Sequence, residues 1–219
     1  MTDNPPLPMP APRGRDRTAT RAAILASAKA ILAAKGFAAL GVNIVARDAG
    51  CDKQLVYRYF GGLEGLVDAI GEDLANWVVT RIAPPPISDN DSYGTRLTLL
   101  LHSYIDGLRD DPLMRAILAW EVSDGSPHVQ RLTAARSRAM GQWMGRLRGT
   151  LTPPTGLDAA ALNAILIAAI QHLVLAGGVA GVFVGVPLQA EADWDRIKHM
   201  VARIIAAMHG DQGQSPELA

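Results

Sequence analysis

Lys53, Gln54, Tyr57 and Arg58 concentrate binding chemistry in one short run, Gly-Cys-Asp-Lys-Gln-Leu-Val-Tyr-Arg-Tyr-Phe at residues 50–60. An ammonium or a guanidinium neutralises phosphates and a phenol hydroxyl can donate to one, while Gln can pair with adenine and Lys with guanine in the major groove. For that chemistry the side chains must share an exposed face of a helix. Helical spacing provides one, because Leu55, Val56 and Phe60 can take the inner side. Asp52 stands where an N-cap is wanted, its carboxylate placed to accept from the free N–H groups of the first turn. Upstream, Val42, Val45, Ala46 and Ala49 recur at one-turn spacing, and Gly50 can adopt the left-handed conformation that ends such a helix. Two short helices on a tight glycine turn match the helix-turn-helix pattern, whose second helix enters the major groove while the first crosses the backbone. An ordinary helical hairpin in an all-α core would read alike locally, so the flanking elements matter.

Those elements support the first reading. Residues 21–35 form a longer helical pattern with Ile24, Leu25, Ala28, Ile31 and Leu32 on one face, stopped by Gly36-Phe37. Gly62-Leu63-Glu64 opens another helix, to about residue 82, with an apolar stripe of Leu66, Ile70, Leu74, Trp77 and Val78. With this framework in place, residues 20–75 resemble the DNA-binding domain of TetR-family transcriptional regulators. The likeness runs through Ile24 and Ala28, Gly36-Phe37, Val45-Ala46, Ala49-Gly50, the run from Leu55 to Phe60, Glu64 and Leu66. It implies a homodimer, a recognition helix near residues 53–59 and a helical ligand-binding domain over the remainder. Beyond about residue 82 only length and helical pattern match.

On this reading Lys53, Gln54 and Leu55 lie nearest base edges, Leu55 offering apolar contact to a thymine methyl. Tyr57 and Tyr59 position the helix on phosphates, Arg58 and Asn43 are phosphate contacts, and Arg21 belongs to the DNA-binding set. Three positions depart from the family pattern. Leu40-Gly41 replaces the usual Thr or Ser that opens the second helix, Leu63 replaces a Lys, and Cys51 stands where Val or Met is common. The first two remove phosphate-directed groups, which predicts weaker binding with a shallower salt dependence. Gly41 can still cap at slight cost, and a buried free cysteine behaves as a small hydrophobe.

Charge is distributed in keeping with such a head. The chain's 21 basic and 21 acidic residues cancel. Residues 1–60, however, carry nine Lys or Arg against four acids, a net of +5, and the other 159 residues carry 12 against 17, a net of −5. A basic head on an acidic body suits a DNA-binding domain with a separate regulatory domain. Five prolines within residues 5–12 predict a disordered segment, and Arg13, Arg15 and Arg17 extend it as a basic arm over residues 1–17 that either reaches phosphate or merely solubilises. No secretory signal pattern is present.

The predicted fold is all-α, with a helix-turn-helix domain at residues 18–65, a helical regulatory and dimerisation domain at 66–209 and a disordered tail at 210–219. Prolines at 84–86 force a loop over 83–91; helices are predicted over 92–109, 111–122 and 126–150, and no strand alternation is evident. Residues 159–190 contain no Asp, Glu, Lys or Arg. Asn163, Gln171 and His172 interrupt the apolar run and no basic flank orients it, so a soluble helix buried on nearly all sides is favoured over a membrane span. A helix over 194–208 places Ile197, Val201, Ile204, Ile205 and Met208 on one side and could complete a dimer-forming pair.

For a ligand cavity, aromatic, sulfur-bearing and sparse polar residues of the larger domain are the candidates: Trp77, Tyr104, Met114, Trp120, Glu121, Trp143, Met144 and His172. Each has ordinary core packing as its alternative. Enzymatic signatures are lacking: the five histidines show no paired metal-ligand spacing, Cys51 is the only cysteine, and neither a nucleophile elbow nor a phosphate-binding glycine loop occurs. The expected protein is cytoplasmic, without metal or cofactor, and binds double-stranded DNA and a small-molecule effector as a homodimer. The alternative is a helical ligand-binding or protein-interaction dimer that has lost DNA binding, motivated by Leu63 and Gly41.

Overall fold

The structure is a computed structural model that describes residues 13–82, 88, 91–149 and 151–210. Its first helix, α1 (Arg13–Lys35), starts well before the apolar pattern does, so Arg13, Arg15 and Arg17 lie on helix and not on a disordered arm. Residues 1–12 of that arm, and residues 211–219 of the expected tail, lie outside the described residues. Gly36 stops the helix with φ 74° and ψ −177°, a conformation open almost only to glycine, and a single 3-10 turn (Phe37–Ala39) follows.

The next two helices follow from local rules. Gly41 caps α2 (Val42–Asp48) with extended backbone and no side-chain bond, as expected where Thr or Ser is missing. Gly50 turns the chain at φ 64°. Asp52 then caps α3 (Lys53–Phe60), its Oδ1 accepting from Gln54 N at 2.7 Å. Gly61 and Gly62, both at positive φ, lead into α4 (Leu63–Arg81). Gly65 allows α4 to start directly against the Phe60 carbonyl, where a Cβ has no room. Leu63 packs partly against the core, which accounts for an apolar residue at that position.

The larger domain contains α5 (Tyr93–Asp110), α6 (Pro112–Ser123), α7 (Pro127–Arg148), α8 (Ala159–Val179) and α9 (Glu191–Gly210). Four of these begin at a side-chain cap that the sequence displays: Ser92, Asp111, Ser126 and Asp158 each accept from the N–H three residues on. Two two-residue strands, β1 (Val182–Phe183) and β2 (Val186–Pro187), pair antiparallel between α8 and α9. They correct the expectation of no strand. Two residues are too few to show alternation, and the hairpin depends on positive φ at Val184 and Gly185.

One hydrophobic core runs from Ile24, Leu32 and Val45 in the head through Ile70 and Val78 on α4 to Ile105, Ile117 and Leu132 in the body. Helix α4 packs along α7, where Arg131 reaches Glu64 and Asp68 and Gly71 admits Ala135. Helix α8 is not buried on nearly all sides within one chain. Leu166, Ile170 and Val174 form its inner row, whereas Ile165 is 66% exposed. Helix α9 likewise turns Trp194, Val201 and Ile205 inward but leaves Met200, Ile204 and Met208 exposed, so the expected single apolar side is divided between two faces. By length and composition α8 is also long and apolar enough to cross a membrane.

Candidate nucleic-acid interface and ligand cavity

The helix-turn-helix is held from beneath. Val56 and Phe60 are buried and Leu55 packs partly against the core, while Lys53, Gln54, Tyr57 and Arg58 are exposed. The Tyr57 ring, 57% exposed, lies beside Gly62, whose Cβ position is 3.4 Å from it. The Arg58 guanidinium sits over the Tyr59 ring, 5.3 Å from its centroid, as in a cation–π contact, and donates to the Tyr59 hydroxyl at 3.4 Å. Arg21 from α1 reaches the same end of α3, stacking over Phe60 at 5.0 Å. Asn43 and Arg47 are exposed on α2. The angle between α1 and α2 is pinned by the buried Ser27 hydroxyl, which donates to Asp48 Oδ2 at 2.5 Å. Lys29 ties α1 to α4 through Asp73 at 2.5 Å. A rigid support thus presents two tyrosines, two amides and several cations on α2 and α3 and the adjoining part of α1.

In the body, a cavity of about 320 Å³ lies between α5, α7 and α8. Leu97, Leu100 and Met144 supply apolar wall, and Gly141, Gly145, Ala159 and Ala160 leave the space open. Three polar side chains face it: Tyr93, Arg96 and Asn163. The Arg96 side chain is only 6% exposed and meets Asp91 at 3.7 Å. Asn163 Nδ2 donates to the Tyr93 hydroxyl at 3.2 Å, while its Oδ1 is buried with no hydrogen-bond partner among the described residues.

Residues 24–70 match the family model for bacterial regulatory proteins of the tetR family. The matched segment, from α1 into α4, is a TetR-type DNA-binding head. That head is of the kind found in bacterial DNA-binding regulatory proteins. No curated protein matches the sequence at a significant level. Solved structures agree over nearly the whole length. GusR of Salmonella enterica is 15% identical with a TM-score of 0.63, over 88% of this chain and 96% of that one. A TetR family transcription regulator from Marinobacter aquaeolei VT8 is 19% identical with a TM-score of 0.59, over 87% and 97%. FadR from Bacillus subtilis, solved in complex with stearoyl-CoA, is 14% identical with a TM-score of 0.61, over 84% and 96%. At these identities the likeness is one of fold.

In this chain the candidate ligand residues disperse. Only Met144 lines the α5–α7–α8 cavity. Trp77 donates its Nε1–H to Asp111 at 2.6 Å, and Met114 and Trp143 are buried core. Trp120 lies against Gly36 and donates to the Ala33 carbonyl at 3.3 Å, joining α6 to α1. His172 is exposed, edge-on to Phe183 at 4.7 Å. Tyr104 and Glu121 do come together, in a buried polar network. Glu121 holds Arg136 through two bonds of 3.0 and 2.6 Å, and Gln171 donates to the Tyr104 hydroxyl at 2.6 Å. Burial pushes the Tyr104 phenol above its ordinary range, against the opposing pull of Gln171 and Arg136.

Arg96 and Asn163 were missed, although the sequence carries a signal for both. Arg96 is in phase with the buried row of Leu97, Leu100, Tyr104 and Leu108, and Asn163 with Leu166, Ile170 and Val174. A polar residue in the phase of a buried row is informative by itself.

Proposed function

We propose that this regulator is a cytoplasmic homodimeric repressor that binds a near-palindromic operator and is released by a small apolar or amphipathic effector. The observation that carries this reading is the division of α3 into a buried side at Val56 and Phe60 and an exposed side at Lys53, Gln54, Tyr57 and Arg58. In this reading residues 18–65 act as the DNA-binding head and residues 66–209 as the regulatory body. Lys53, Gln54 and Leu55 read base edges, Tyr57 and Tyr59 seat α3 on the backbone, and Arg21, Asn43 and Arg58 contact phosphate.

Dimerisation is supported by the outward faces of α8 and α9. Ile165 on α8 and Met200, Ile204 and Met208 on α9 leave apolar side chains exposed on the last two helices, of the kind a twofold partner covers. Sedimentation at micromolar concentration is expected to give twice the chain's 23.2 kDa mass; a monomer would contradict this assembly. Two recognition helices held about 34–36 Å apart, or a multiple of that, read two half-sites. A ligand in the α5–α7–α8 cavity releases DNA by favouring a dimer with another separation, provided it binds the two states unequally.

Selection of bound sequences from a random duplex library tests the proposal. An inverted repeat should be enriched by the native protein. Tyr57→Ala should weaken binding to every sequence by roughly tenfold, the loss of a charge-assisted hydrogen bond. Gln54→Ala should relax preference at one position by about 1–3 kcal/mol. If both variants select and bind as the native protein does, α3 is not the reading helix.

A further inference from the structure

We propose that the cleft where the end of α5 and the start of α6 meet the end of α8 is a second ligand site, one that takes a small oxyanion on the Arg115 guanidinium. The cleft has a volume of about 290 Å³ and shares no lining residue with the α5–α7–α8 cavity. The two sites therefore stand or fall separately. Val174, Leu188 and Trp194 give the cleft an apolar side, while Arg109, Arg115 and Gln189 supply its polar groups.

Hydrogen bonding fixes Arg115 and leaves one of its edges unused. Its Nη1 donates to the Leu108 carbonyl at 2.9 Å and to the Arg109 carbonyl, both at the end of α5. The donors left over, on Nε and Nη2, form the edge of a guanidinium that receives two oxygens at once. Arg131 and Arg136 each spend that edge on a carboxylate, of Asp68 and Glu121 respectively. Arg115 has no such partner among the described residues. The edge is also accessible. Neither Nε nor Nη2 is buried, and Nε lies 4.0 Å from where a Cβ on the exposed Gly178 would stand.

Most neighbouring charges are already engaged. Arg109 lies over the Trp194 ring and holds both Glu191 oxygens, at 3.0 and 2.6 Å, and Lys198 meets Asp106 at 2.6 Å. Asp111 accepts from the Met114 N–H and from Trp77. The Arg115 charge is left without a carboxylate, so a single negative charge balances the site. Carboxylate and phosphate present the same pair of oxygens to a guanidinium edge, and the Gln189 side-chain amide can add a neutral donor from the cleft wall. A bound anion would join the start of α6 to the end of α8.

Calorimetric titration of the DNA-free protein with inorganic phosphate, methyl phosphate, acetate and benzoate, in chloride at constant ionic strength, tests this directly. Saturable binding of at least one of these is expected, and the order of affinities shows whether the site prefers phosphate or carboxylate. Gly178→Asp should weaken that binding roughly tenfold or more, the worth of a hydrogen bond to a charged group. Its carboxylate takes the Arg115 edge from within the chain and leaves the bonds from Nη1 to α5 in place. Gly178→Ala should bind as the native protein does, because its Cβ makes only ordinary contact with Nε. Arg115→Gln should abolish binding; since it also loses the α5 contacts, Gly178→Asp keeps the test decisive if that variant does not fold. Anions held on the DNA-binding head are indifferent to residue 178. Binding unchanged in Gly178→Asp, or no saturable binding to the folded native protein, would therefore overturn the proposal. Either failure leaves operator binding and the α5–α7–α8 cavity untouched.

Discussion

Glu121→Ala is expected to destabilise the chain by about 3–5 kcal/mol, because it leaves a charge buried without its partner. The Glu121 and Arg136 side chains are 6% and 13% exposed and share two short hydrogen bonds. Removing the carboxylate leaves a guanidinium that cannot neutralise itself by losing a proton. The pair belongs to a wider cluster in which Tyr104 on α5 feels both charges and Gln171 on α8 binds the Tyr104 hydroxyl, so four helices lose a shared anchor. The double substitution Glu121→Leu with Arg136→Met should recover most of the loss, since apolar groups of similar volume often replace a buried pair without cost. Urea denaturation of the native protein and the two variants gives the comparison. A loss below about 1 kcal/mol for Glu121→Ala would mean that the pair is worth no more than an exposed one.

Gly36→Ala should be nearly as damaging, through two separable causes. At φ 74° and ψ −177° an alanine is strained by about 1–3 kcal/mol, whatever surrounds it. Its Cβ would also lie 2.8–3.0 Å from three atoms of the Trp120 ring, so the ring has to move. That ring donates to Ala33 O at 3.3 Å and is where α6 of the body meets α1 of the head. The expected result is a loss of stability larger than the backbone strain alone. Operator binding should also respond less to whatever ligand fills the cavity. In a double-mutant cycle with Trp120→Ala, the steric part should disappear and the strain remain, giving strong non-additivity. Simple addition of the two effects would show that the ring does not obstruct Gly36.

Much of the fold was legible because its determinants act over a few residues. Asp52, Asp111 and Ser126 accept from N–H groups two or three residues away, and Gly50 ends α2 alone through its left-handed φ. The outward set of α3 followed from the 3.6-residue period once Val56 and Phe60 were taken as inward. The early start of α1 was not legible, since Arg13, Arg15 and Arg17 follow a proline-rich run and bring no apolar row. Nor was the β1–β2 hairpin, which is too short to have a pattern.

The ligand site was the least legible part. Choosing by residue type gathered Trp77, Trp120, Trp143 and Met114, which the structure uses for core, for a cap contact at Asp111 and for the seam between α6 and α1. Side-chain type says that such groups will be buried, but not against what. Arg96 and Arg136 are both arginines on body helices, and nothing local distinguishes them. Packing places a carboxylate against Arg136 and a cavity beside Arg96. What the sequence determined by itself was the order, caps and inward faces of the helices, through hydrogen bonds and periodicity of short range. Which buried polar groups meet each other, and which face open space, was decided only by tertiary structure, because those pairings join residues on separate helices far apart along the chain.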